Sequence, residues 1–529
     1  MMLPRDLLRN CASNYPDRPA YFWRDETRTW QEMKRRSDRL AGAFMELGVE
    51  KGDVVAILGR ESLEIYEHFF ACMTLGAVRV GLNWRYSPGE ILHILQDSRP
   101  RVLLLQADCA SLIETLEQEI ADLDTRVILY GDPGGALHEY EEMIDVAVAP
   151  SALPDLESED PMFISYTSGS TGRPKGVVHT QYSSAYIIFQ NLVGRGLAPN
   201  DIFLQASASS WMTVLLNMLG LGNGMAHAIM DGTFEIVSFM KQIDRHRVTS
   251  IMLVPTLLQR VLQERAKGDY DLSSIRLLNY GSSPITPELA RSAYAAFDCD
   301  LIQNYGMTEG GWVTHLSADD HVKAVNGEYN LLESVGRPGV LTRISIRNAD
   351  GEELPPGEVG EVCLSSPMLM KGYLNLPDAT AEALKDGWLH TNDLGCLNEE
   401  GYLFLHGRKN FMIISGAVNV QPQGVELVIS EHPSVFEVAV VGAPHPDLGE
   451  AVVAVVVCKP GREEPTQRDI ESFCLARLSK LSIPKHVYIV SELPKTLNGK
   501  LNKPKIIQWV QENLHALPWF RVQGAAGGQ

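Results

Sequence analysis

Short apolar runs alternate with segments of helical length through most of the first 320 residues, and this alternation restricts the fold more than any other feature. Between two of the runs, Ser62–Leu75 places its apolar residues with helical spacing. A break rich in proline and acidic residues, Ala149–Pro161, divides the pattern in two. The runs are Val54–Leu58, Val78–Leu82, Val102–Leu105, Val127–Tyr130, Ile251–Val254, Leu277–Tyr280 and Leu301–Gln303. Strands separated by helices form βαβ units, so the pattern predicts an α/β fold with parallel sheets.

The pattern changes after about residue 330. Thr342–Arg347 and Glu358–Leu364 flank the turn sequence Asn348–Gly351, which is typical of antiparallel strands. Beyond residue 410, strand and helix patterns recur on a smaller scale, and Val438–Val441 and Ala451–Cys458 suit a small sheet. We therefore expect two domains. The larger, residues 1–409, combines mixed sheets and helices, and the smaller, residues 410–529, has an α+β fold.

Composition and charge exclude several classes of protein. The chain carries 46 Lys and Arg against 66 Asp and Glu, a formal net charge of −20, which argues against a protein that coats nucleic acid or anionic membranes. Its eight cysteines include no C-x-x-C pair, unlike a disulfide framework or a zinc ribbon. No signal peptide is apparent, and the most apolar stretch, Ala451–Cys458, is far shorter than the ~20 residues that cross a bilayer. We expect a cytoplasmic protein with free thiols, no membrane span and no nucleic-acid partner.

The most informative segment is Tyr166–Gly176, with the sequence YTSGSTGRPKG after an apolar run. Glycines let the backbone approach an anion, the hydroxyls offer donors, and Lys175 adds a mobile positive charge. These properties suit a polyphosphate, although the spacing is not that of a Walker A loop. The alternative is a flexible Ser/Gly linker, which would not normally end in Arg-Pro-Lys-Gly after a buried strand.

Two further segments offer polar side chains in places suited to a nucleotide. Asn304–Glu309 (NYGMTE) follows the strand run Leu301–Gln303, and α/β sheets bind ligands at strand ends. Trp388–Gly395 (WLHTNDLG) contains Asp393, whose carboxylate can accept both hydroxyls of a ribose. Taken singly, the first sequence is a weak signal, because a tyrosine turn followed by an acidic cap is common, and the second favours an ordinary Asx turn.

Basic residues near the C-terminus complete the set. Arg408 stands at the expected domain boundary, and residues 480–505 hold six lysines but only one acidic residue, Glu492. Lys500 ends the loop Leu493–Lys500. The alternatives are a solvated basic face and a lysine loop that reaches a phosphate.

Together and in this order, these segments resemble the adenylate-forming superfamily, which includes acyl-CoA and aryl-CoA synthetases, luciferases and the adenylation domains of peptide synthetases. The resemblance extends from about residue 25 to 510. It implies that the small domain is mobile and carries the catalytic lysine, Lys500. It also implies catalytic roles for Thr308 and Glu309, with Glu309 as the Mg²⁺ ligand. The ATP-binding residues that it implies are Thr167, Ser168, Gly169, Ser170, Thr171, Gly172, Lys175, Ser282, Ser283, Asn304, Tyr305, Gly306, Met307, Thr308, Asp393 and Arg408.

The same resemblance suggests where the acid and the thiol bind. The implied residues of the acyl pocket are Trp211, Met212, Gly281, Gly310 and Trp312. Those of a CoA tunnel are Ser415, Gly416 and Ala417. If the two tryptophans line the pocket, they favour a flat aromatic or compact acid over a long straight chain; the alternative is that both are core packing.

This sequence departs from the family pattern at three places. Asn410 and Phe411 replace an acidic or lysine hinge residue and the aspartate that follows it. Gly416–Asn419 replaces a run that usually reads Gly-Gly-Glu-Asn. Trp211 stands where many members have histidine. These departures bear on the hinge, on CoA use and on the acid substrate respectively, not on the fold.

The resemblance implies a two-step reaction that uses ATP, Mg²⁺ and CoA. A carboxylic acid is activated as an acyl-adenylate with release of pyrophosphate, and a thioester then forms with CoA and releases AMP. Two alternatives remain open: a stand-alone enzyme that loads a carrier-protein thiol, and a non-catalytic member that binds nucleotide or acyl ligand. A homodimer is a further open alternative.

Overall fold

The computed structural model describes residues 2–131, 139–167, 174–231, 234–268, 270–283, 285–416, 418–475, 477–496 and 500–521. Two units are distinguished by their internal contacts. The first unit comprises Met1–Ile344 and Leu364–Leu389, and the second comprises Ser345–Cys363 and His390–Gln529. The domain boundary at 409/410 stays a prediction.

The regular elements alternate as the apolar pattern predicts. The strands are β1 (Pro19–Trp23), β2 (Glu26–Thr29), β3 (Val54–Gly59), β4 (Val78–Asn83), β5 (Val102–Gln106), β6 (Arg126–Tyr130), β7 (Pro161–Thr167), β8 (Lys175–Thr180), β9 (Ile202–Gln205), β10 (Ala226–Ala228), β11 (Ser250–Leu253), β12 (Leu277–Gly281), β13 (Asp300–Met307), β14 (Gly311–Leu316), β15 (Arg337–Pro338), β16 (Arg343–Arg347), β17 (Gly360–Ser365), β18 (Gly372–Tyr373), β19 (Leu384–Lys385), β20 (Trp388–Leu397), β21 (Leu403–Arg408), β22 (Ile413–Ser415), β23 (Val418–Val420), β24 (Val435–His445), β25 (Gly449–Cys458) and β26 (His486–Val490). The helices are α1 (Pro4–Asn14), α2 (Trp30–Glu46), α3 (Leu63–Leu75), α4 (Pro88–Ser98), α5 (Glu117–Asp122), α6 (Glu139–Val146), α7 (Gln181–Gly194), α8 (Ile236–His246), α9 (Pro255–Arg265), α10 (Pro287–Ala296), α11 (Ala318–Val325), α12 (Pro377–Ala383), α13 (Pro422–Ser430), α14 (Gln467–Leu475), α15 (Lys503–Glu512) and α16 (Pro518–Arg521).

Two mixed sheets organise the first unit. One has the strand order β15-β14-β13-β12-β11-β9-β10-β1-β2, and the other has the order β18-β8-β7-β4-β3-β5-β6. In the first, a parallel centre has antiparallel strands at both edges: β11, β12 and β13 run parallel, whereas β14 pairs antiparallel with β13 and β2 with β1. In the second, β8 and β18 form an antiparallel edge, whereas β5 and β6 at the other edge run parallel. The α/β fold class with mixed sheets is confirmed.

Strand β13 is longer than the sequence predicts. The apolar run ends at Gln303, but pairing with β14 continues to Met307. Asn304–Met307 therefore lie within a strand rather than beyond its end, because the following segment folds back and satisfies their backbone groups.

The second unit contains a smaller sheet with the order β23-β22-β25-β24, in which β26 pairs parallel with β25. Alternate residues of β25 enter two cores. Val452 and Val456 pack with Val425 of α13 and Ile470 of α14, whereas Val453 and Val455 pack with Ile506 of α15 and its neighbours. Burial of both faces explains the unbroken apolar run in β25, as the sequence predicts.

The chain passes between the two units within β16, β17 and β20, which belong to a sheet with the order β16-β17-β20-β19, where β21 also pairs with β20. Across the described part of the chain, no helix is long and apolar enough to cross a membrane. The eight cysteines are free thiols, as predicted.

Candidate active site

The glycine- and hydroxyl-rich segment begins and ends on a pair of antiparallel strands. Thr167 closes β7, Lys175 opens β8, and the two residues face each other in the register of that pair. The two ends of the segment are therefore held side by side as the last pair of the β7–β8 ladder. The predicted ATP-binding residues Ser168, Gly169, Ser170, Thr171 and Gly172 lie outside the described residues.

Tyr373 lies between two of the predicted site residues. Its hydroxyl donates a hydrogen bond of 2.9 Å to Glu309 Oε1. The Lys175 ammonium lies 5.2 Å from the centre of its ring, within the range of a cation–π contact. Strand β18, which carries Tyr373, pairs with β8, which carries Lys175. A cation and a carboxylate distant in sequence thus share one aromatic neighbour.

A buried histidine connects β8 to the turn that carries Thr308. The Nε2 atom of His179 lies 2.7 Å from the Thr308 carbonyl oxygen, and its Nδ1 atom lies 3.2 Å from the Ser183 hydroxyl. Burial lowers the pKa of His179 to about 4, so the ring is neutral at physiological pH. A neutral ring that donates from Nε2 accepts at Nδ1, which fits both contacts.

Strands β13 and β14 approach each other closely at Gly306. A Cβ atom at Gly306 would lie 2.2 Å from the Gly311 carbonyl oxygen, so β13 and β14 leave room only for glycine there. Asn304, in the same strand, is buried, and its Oδ1 atom lies 2.8 Å from His315 Nδ1. Tyr305 pairs with Thr314 beside the irregularity in register that precedes Gly306.

The Gly281–Ser283 segment lies against the same strand. Gly281 pairs with Asn304, and a Cβ atom at Gly281 would lie 2.1 Å from the Asn304 carbonyl oxygen. Ser282 has a φ of 68°, in the left-handed region, and both serines are half-buried. The structure therefore brings Gly281, Ser282 and Ser283 to the end of β12, next to the Asn304–Glu309 segment.

The predicted acyl-pocket residues all lie in the first unit. Trp211 is half-buried and precedes the 3-10 helix Met212–Gly222, whose first residue is buried. Trp211 also hydrogen-bonds to Tyr86. Gly310 is buried beside Leu364, Leu369 and Leu389.

Trp312 is 4% exposed in β14, and the Arg195 guanidinium lies 5.6 Å from the centre of its ring. Trp312 is therefore in the core and also next to a charged group. The assignment of these residues to an acyl pocket stays a prediction.

In the second unit, Asp393 and Arg408 face each other across the β20–β21 pair. The Arg408 Nε atom donates to Asp393 Oδ1 across 3.0 Å, and the Asp393 amide donates to the Thr391 hydroxyl. Asp393 thus lies in a strand, not in the turn expected from the sequence, because β21 supplies its pairing partner.

Lys500 belongs to the same unit and is half-buried. Burial, together with the positive charge of Arg408, lowers the pKa of Lys500 to about 8, although the negative charge of Asp393 opposes the change. The three residues are therefore electrostatically coupled. Near neutral pH the ammonium is still the major form.

Glu361 organises the strand that carries Asp393. Its carboxylate accepts a hydrogen bond from the Asn392 amide across 3.1 Å and lies 3.3 Å from His390 Nδ1 and 3.8 Å from Lys409 Nζ. The Cys363 thiol lies 3.5 Å from the same histidine nitrogen. Direct hydrogen bonds and a cation therefore satisfy the Glu361 carboxylate.

The predicted CoA-tunnel residues follow β22. Ser415 is buried, and its hydroxyl has no partner within the described ranges. Gly416 has a φ of 57°, and its amide donates to the Leu448 carbonyl. Ala417 lies outside the described residues. Of the unusual hinge residues, Asn410 is exposed, and the Phe411 ring lies 5.9 Å from Lys503 Nζ.

Glu309 has the properties expected of a Mg²⁺ ligand. It is half-buried, and the hydrogen bond from Tyr373 uses only Oε1. Within the described ranges, Oε2 has no protein donor and is left for a hard cation, which prefers carboxylate oxygen. The residues therefore fit the ion.

Sequence reasoning missed His179 and Tyr373 as members of this site. Each stands in a short strand where its own sequence carries no motif. The usable signal for His179 was its position four residues after Lys175, on the strand that follows the predicted phosphate-binding segment. For Tyr373 no local signal exists, because its importance arises from the pairing of β18 with β8.

Comparisons with known proteins identify the family of this chain. The family model for AMP-binding enzymes matches residues 8–374, and the model for their C-terminal domain matches residues 424–500. The chain is 34% identical over 502 residues to the fatty acid–[acyl-carrier-protein] ligase ScoC of Streptomyces coeruleorubidus, covering 93% of both proteins. It is 34% identical over 483 residues to feruloyl-CoA synthase of an Amycolatopsis species, covering 90% of this chain and 93% of the relative.

Solved structures show the same fold. The amide bond synthetase McbA of Marinactinospora thermotolerans superposes with a TM-score of 0.85 at 30% identity, over 96% of this chain and 99% of that one. MatB of Rhodopseudomonas palustris, solved with bound ATP, superposes with a TM-score of 0.87 at 26% identity, over 97% and 100%. The chain belongs to the adenylate-forming family of AMP-binding enzymes, and it is an AMP-forming acid–thiol ligase that takes ATP and a carboxylic acid as substrates.

Proposed function

We propose that the side chains described above perform the two half-reactions on a small carboxylic acid, with CoA as the thiol. The observation that supports this most directly is the network in which His179 fixes the Thr308 carbonyl while Tyr373 contacts both Lys175 and Glu309. The Thr308 backbone, a cation and a carboxylate are thereby held by direct contacts with two side chains of the first unit. The cation and the carboxylate are groups that adenylation requires.

The chemical difficulty of the first step is that two anions must meet. A carboxylate attacks the α-phosphorus of ATP, an acyl–phosphate bond forms and pyrophosphate leaves. We assign Lys175 to the departing phosphates, Thr308 to the α-phosphate, and Lys500 to the meeting point of carboxylate and α-phosphate, where positive charge lowers the barrier. Mg²⁺ held by Glu309 would neutralise phosphate charge.

The remaining assignments concern binding. Asp393, positioned by Arg408, would accept the ribose hydroxyls, and Tyr305 would stack on adenine beside Ser282 and Ser283. In the second step, a thiolate attacks the acyl carbon and AMP leaves. Ser415 and Gly416 would line the route of the thiol, since glycine leaves space for a thin pantetheine arm.

A carrier-protein thiol is the second candidate acceptor. The relative ScoC is named for an acyl-carrier-protein substrate, whereas the feruloyl relative is named for CoA. Val418 replaces the glutamate usual in the CoA-using pattern, which keeps the carrier alternative open. A homodimer and a cytoplasmic location stay predictions.

The test is ATP-dependent pyrophosphate release with a panel of aromatic, branched and straight-chain acids. Each acid is assayed alone, with CoA and with a phosphopantetheinylated carrier protein, and Lys500→Ala serves as the inactive control. We expect release that depends on one class of acid and an acyl-CoA product. Acyl transfer to the carrier but not to CoA would replace CoA as the proposed thiol. No release with any acid would overturn the catalytic proposal in favour of a binding protein.

A further inference from the structure

Arg195 is a completely buried arginine in the first unit, directly after helix α7. Its Nε atom donates to Asn191 Oδ1 across 2.9 Å. Its Nη1 atom lies 3.6 Å from the Met252 sulfur, a weak acceptor. Its Nη2 atom has no acceptor within the described ranges. The guanidinium is therefore buried with its hydrogen-bonding capacity only partly used.

The charge of Arg195 is also unpaired. Within the described part of the chain, no carboxylate lies within 4.0 Å of it, whereas the half-buried Arg36 contacts both Glu67 and Glu141. Burial lowers the pKa of Arg195 to about 9, so the group still carries its charge at neutral pH. A buried cation without a partner is costly because it loses its hydration, and buried charges in proteins are usually paired. An anion supplied by a ligand would provide the missing partner.

Arg195 lies near the Asn304–Glu309 segment, which carries residues that we assign to adenylation. The guanidinium lies 5.6 Å from the centre of the Trp312 ring. Trp312 pairs with Gly306 across β13–β14 and follows Glu309 by three residues. One aromatic ring therefore lies between Arg195 and strand β13, which leads to the proposed adenylation residues Thr308 and Glu309.

The neighbouring side chains are polar but uncharged. His315 Nε2 lies 3.4 Å from the Gln190 amide nitrogen, and His315 Nδ1 lies 2.8 Å from Asn304 Oδ1. Burial and, to a smaller extent, the charge of Arg195 lower the pKa of His315 to about 3, so His315 is neutral. This chain of polar groups extends from Asn304 toward Arg195. It is unsuited to an alkyl tail, which gains nothing from polar neighbours and leaves them desolvated.

We propose that Arg195 pairs with a second carboxylate at the far end of the acid, so that the preferred substrates are short dicarboxylic acids or aromatic acids with a distal carboxylate. This inference rests on the proposed function, because it specifies the substrate of the same site. Trp312 covers the flat face of the guanidinium, and the free Nη2 donor meets the incoming anion. A charge-assisted hydrogen bond in a water-poor site discriminates strongly against a methyl group in the same place.

The experiment compares matched pairs of acids that differ only in the distal group: hexanoic with adipic, octanoic with suberic, and 4-methylbenzoic with terephthalic acid. We expect the wild-type kcat/KM for pyrophosphate release to favour at least one diacid over its partner by about 10²-fold or more. Arg195→Met should abolish that preference through the KM for the acid, while the KM for ATP stays unchanged. Arg195→Lys, which keeps the charge, should retain part of the preference.

Two controls separate a binding role from a structural one. Arg260→Met removes an exposed arginine that lies 5.9 Å from the centre of the Phe234 ring, and it should leave the acid preference unchanged. Thermal melting of wild type and Arg195→Met with each acid reports binding independently of turnover. A diacid should raise the wild-type midpoint more than its monoacid partner, and this difference should disappear in Arg195→Met.

The outcomes distinguish the two proposals. If no acid releases pyrophosphate, the proposed function fails, and the melting comparison still decides the role of Arg195. If monoacids are used and diacids neither react nor protect, the inference is overturned while the ligase activity stands. An unchanged acid preference in a folded Arg195→Met protein would likewise overturn it and leave Arg195 as a packing partner of Trp312.

Discussion

The Tyr373 hydroxyl donates a hydrogen bond of 2.9 Å to Glu309 Oε1, and the face of the same ring contacts Lys175. One phenol thereby fixes both the proposed Mg²⁺ ligand and the proposed phosphate-binding lysine. Tyr373→Phe keeps the ring but removes the hydrogen bond, which is worth about 1.5–3 kcal/mol when one partner is charged. We expect the Mg²⁺ concentration for half-maximal pyrophosphate release to rise roughly tenfold, with a smaller change in kcat at saturating Mg²⁺.

Tyr488→Phe is the matched control, because its hydroxyl donates a hydrogen bond of 2.8 Å to the Asn513 carbonyl in the second unit. It removes a tyrosine hydroxyl that donates to a neutral acceptor away from the site, and it should leave the Mg²⁺ dependence unchanged. Equal effects of the two substitutions would show that Tyr373 acts only through stability.

A second prediction concerns His179 and the Thr308 carbonyl. His179→Phe keeps an aromatic ring against Phe163, whose centre lies 5.0 Å away, but leaves the buried carbonyl without its donor. A lost donor costs about 1–3 kcal/mol. We expect a lower urea midpoint and a fall of about tenfold in kcat/KM for adenylation. Ser183→Ala removes the contact at Nδ1 and weakens the N-terminal cap of α7, but it leaves the donor to the Thr308 carbonyl in place. It should therefore have the smaller effect on kcat/KM, and the reverse order would contradict the positioning role.

The sequence predicted the fold class and most strand positions because burial on both faces makes parallel strands nearly continuous apolar runs. It located β25 as Ala451–Cys458, and the strand begins only two residues earlier. It did not predict that Asn304–Met307 continue strand β13, since pairing with β14 depends on how the chain folds back. The residues of Asn304–Met307 do not show the alternation of apolar and polar side chains that indicates a strand.

The same distinction applies to the site. Lys175, Glu309, Asp393 and Lys500 stand in local sequences that carry chemical signals of their own. Arg195 stands between glycines at the end of a helix, and nothing nearby indicates that its side chain is buried. Its importance depends on Trp312, more than a hundred residues away, and long-range contacts of that kind are absent from any local pattern.

Acid should destabilise the first unit through its buried histidines. The folded-state pKa of His179 is about 4 and that of His315 about 3, both below the unfolded value of about 6.5. The unfolded chain therefore binds more protons below pH 6.5, and stability present above that pH is lost as pH falls toward 4. For His179 alone, the pKa shift corresponds to about 3 kcal/mol of the free energy of unfolding once the pH has fallen through the folded-state pKa.

Urea midpoints measured at pH 7.5, 6 and 5 test this prediction. The wild-type midpoint should fall with pH, and the decline should be shallower in His179→Phe. His515→Gln, at an exposed position, should match the wild-type slope. Identical slopes in wild type and His179→Phe would show that His179 does not contribute to the acid sensitivity.

Lys500 predicts a loss at high pH rather than at low pH, and the quantity lost is adenylation activity rather than stability. Because burial lowers its pKa to about 8, the ammonium is lost as pH rises through 8, and kcat/KM for adenylation should decline above that pH. Lys500→Arg keeps the charge and should remove this decline. Lys500→Ala should slow adenylation by about 10²–10³-fold but leave thioester formation from pre-made acyl-adenylate nearly unchanged. Equal losses in both half-reactions would contradict the assigned role.

The last prediction tests whether Trp211, which precedes the 3-10 helix, limits the size of the acid that the enzyme accepts. Its indole is half-buried and hydrogen-bonds to Tyr86, so removal of the ring opens space beside a polar group. We expect Trp211→Ala to accept bulkier or longer acids, with a KM ratio between long and short acids that changes about tenfold. Trp23→Ala, which removes a half-buried ring in β1, controls for loss of an indole elsewhere. If both variants keep the wild-type acid profile while Trp211→Ala unfolds more readily, Trp211 stabilises the fold and the acid is limited by other residues.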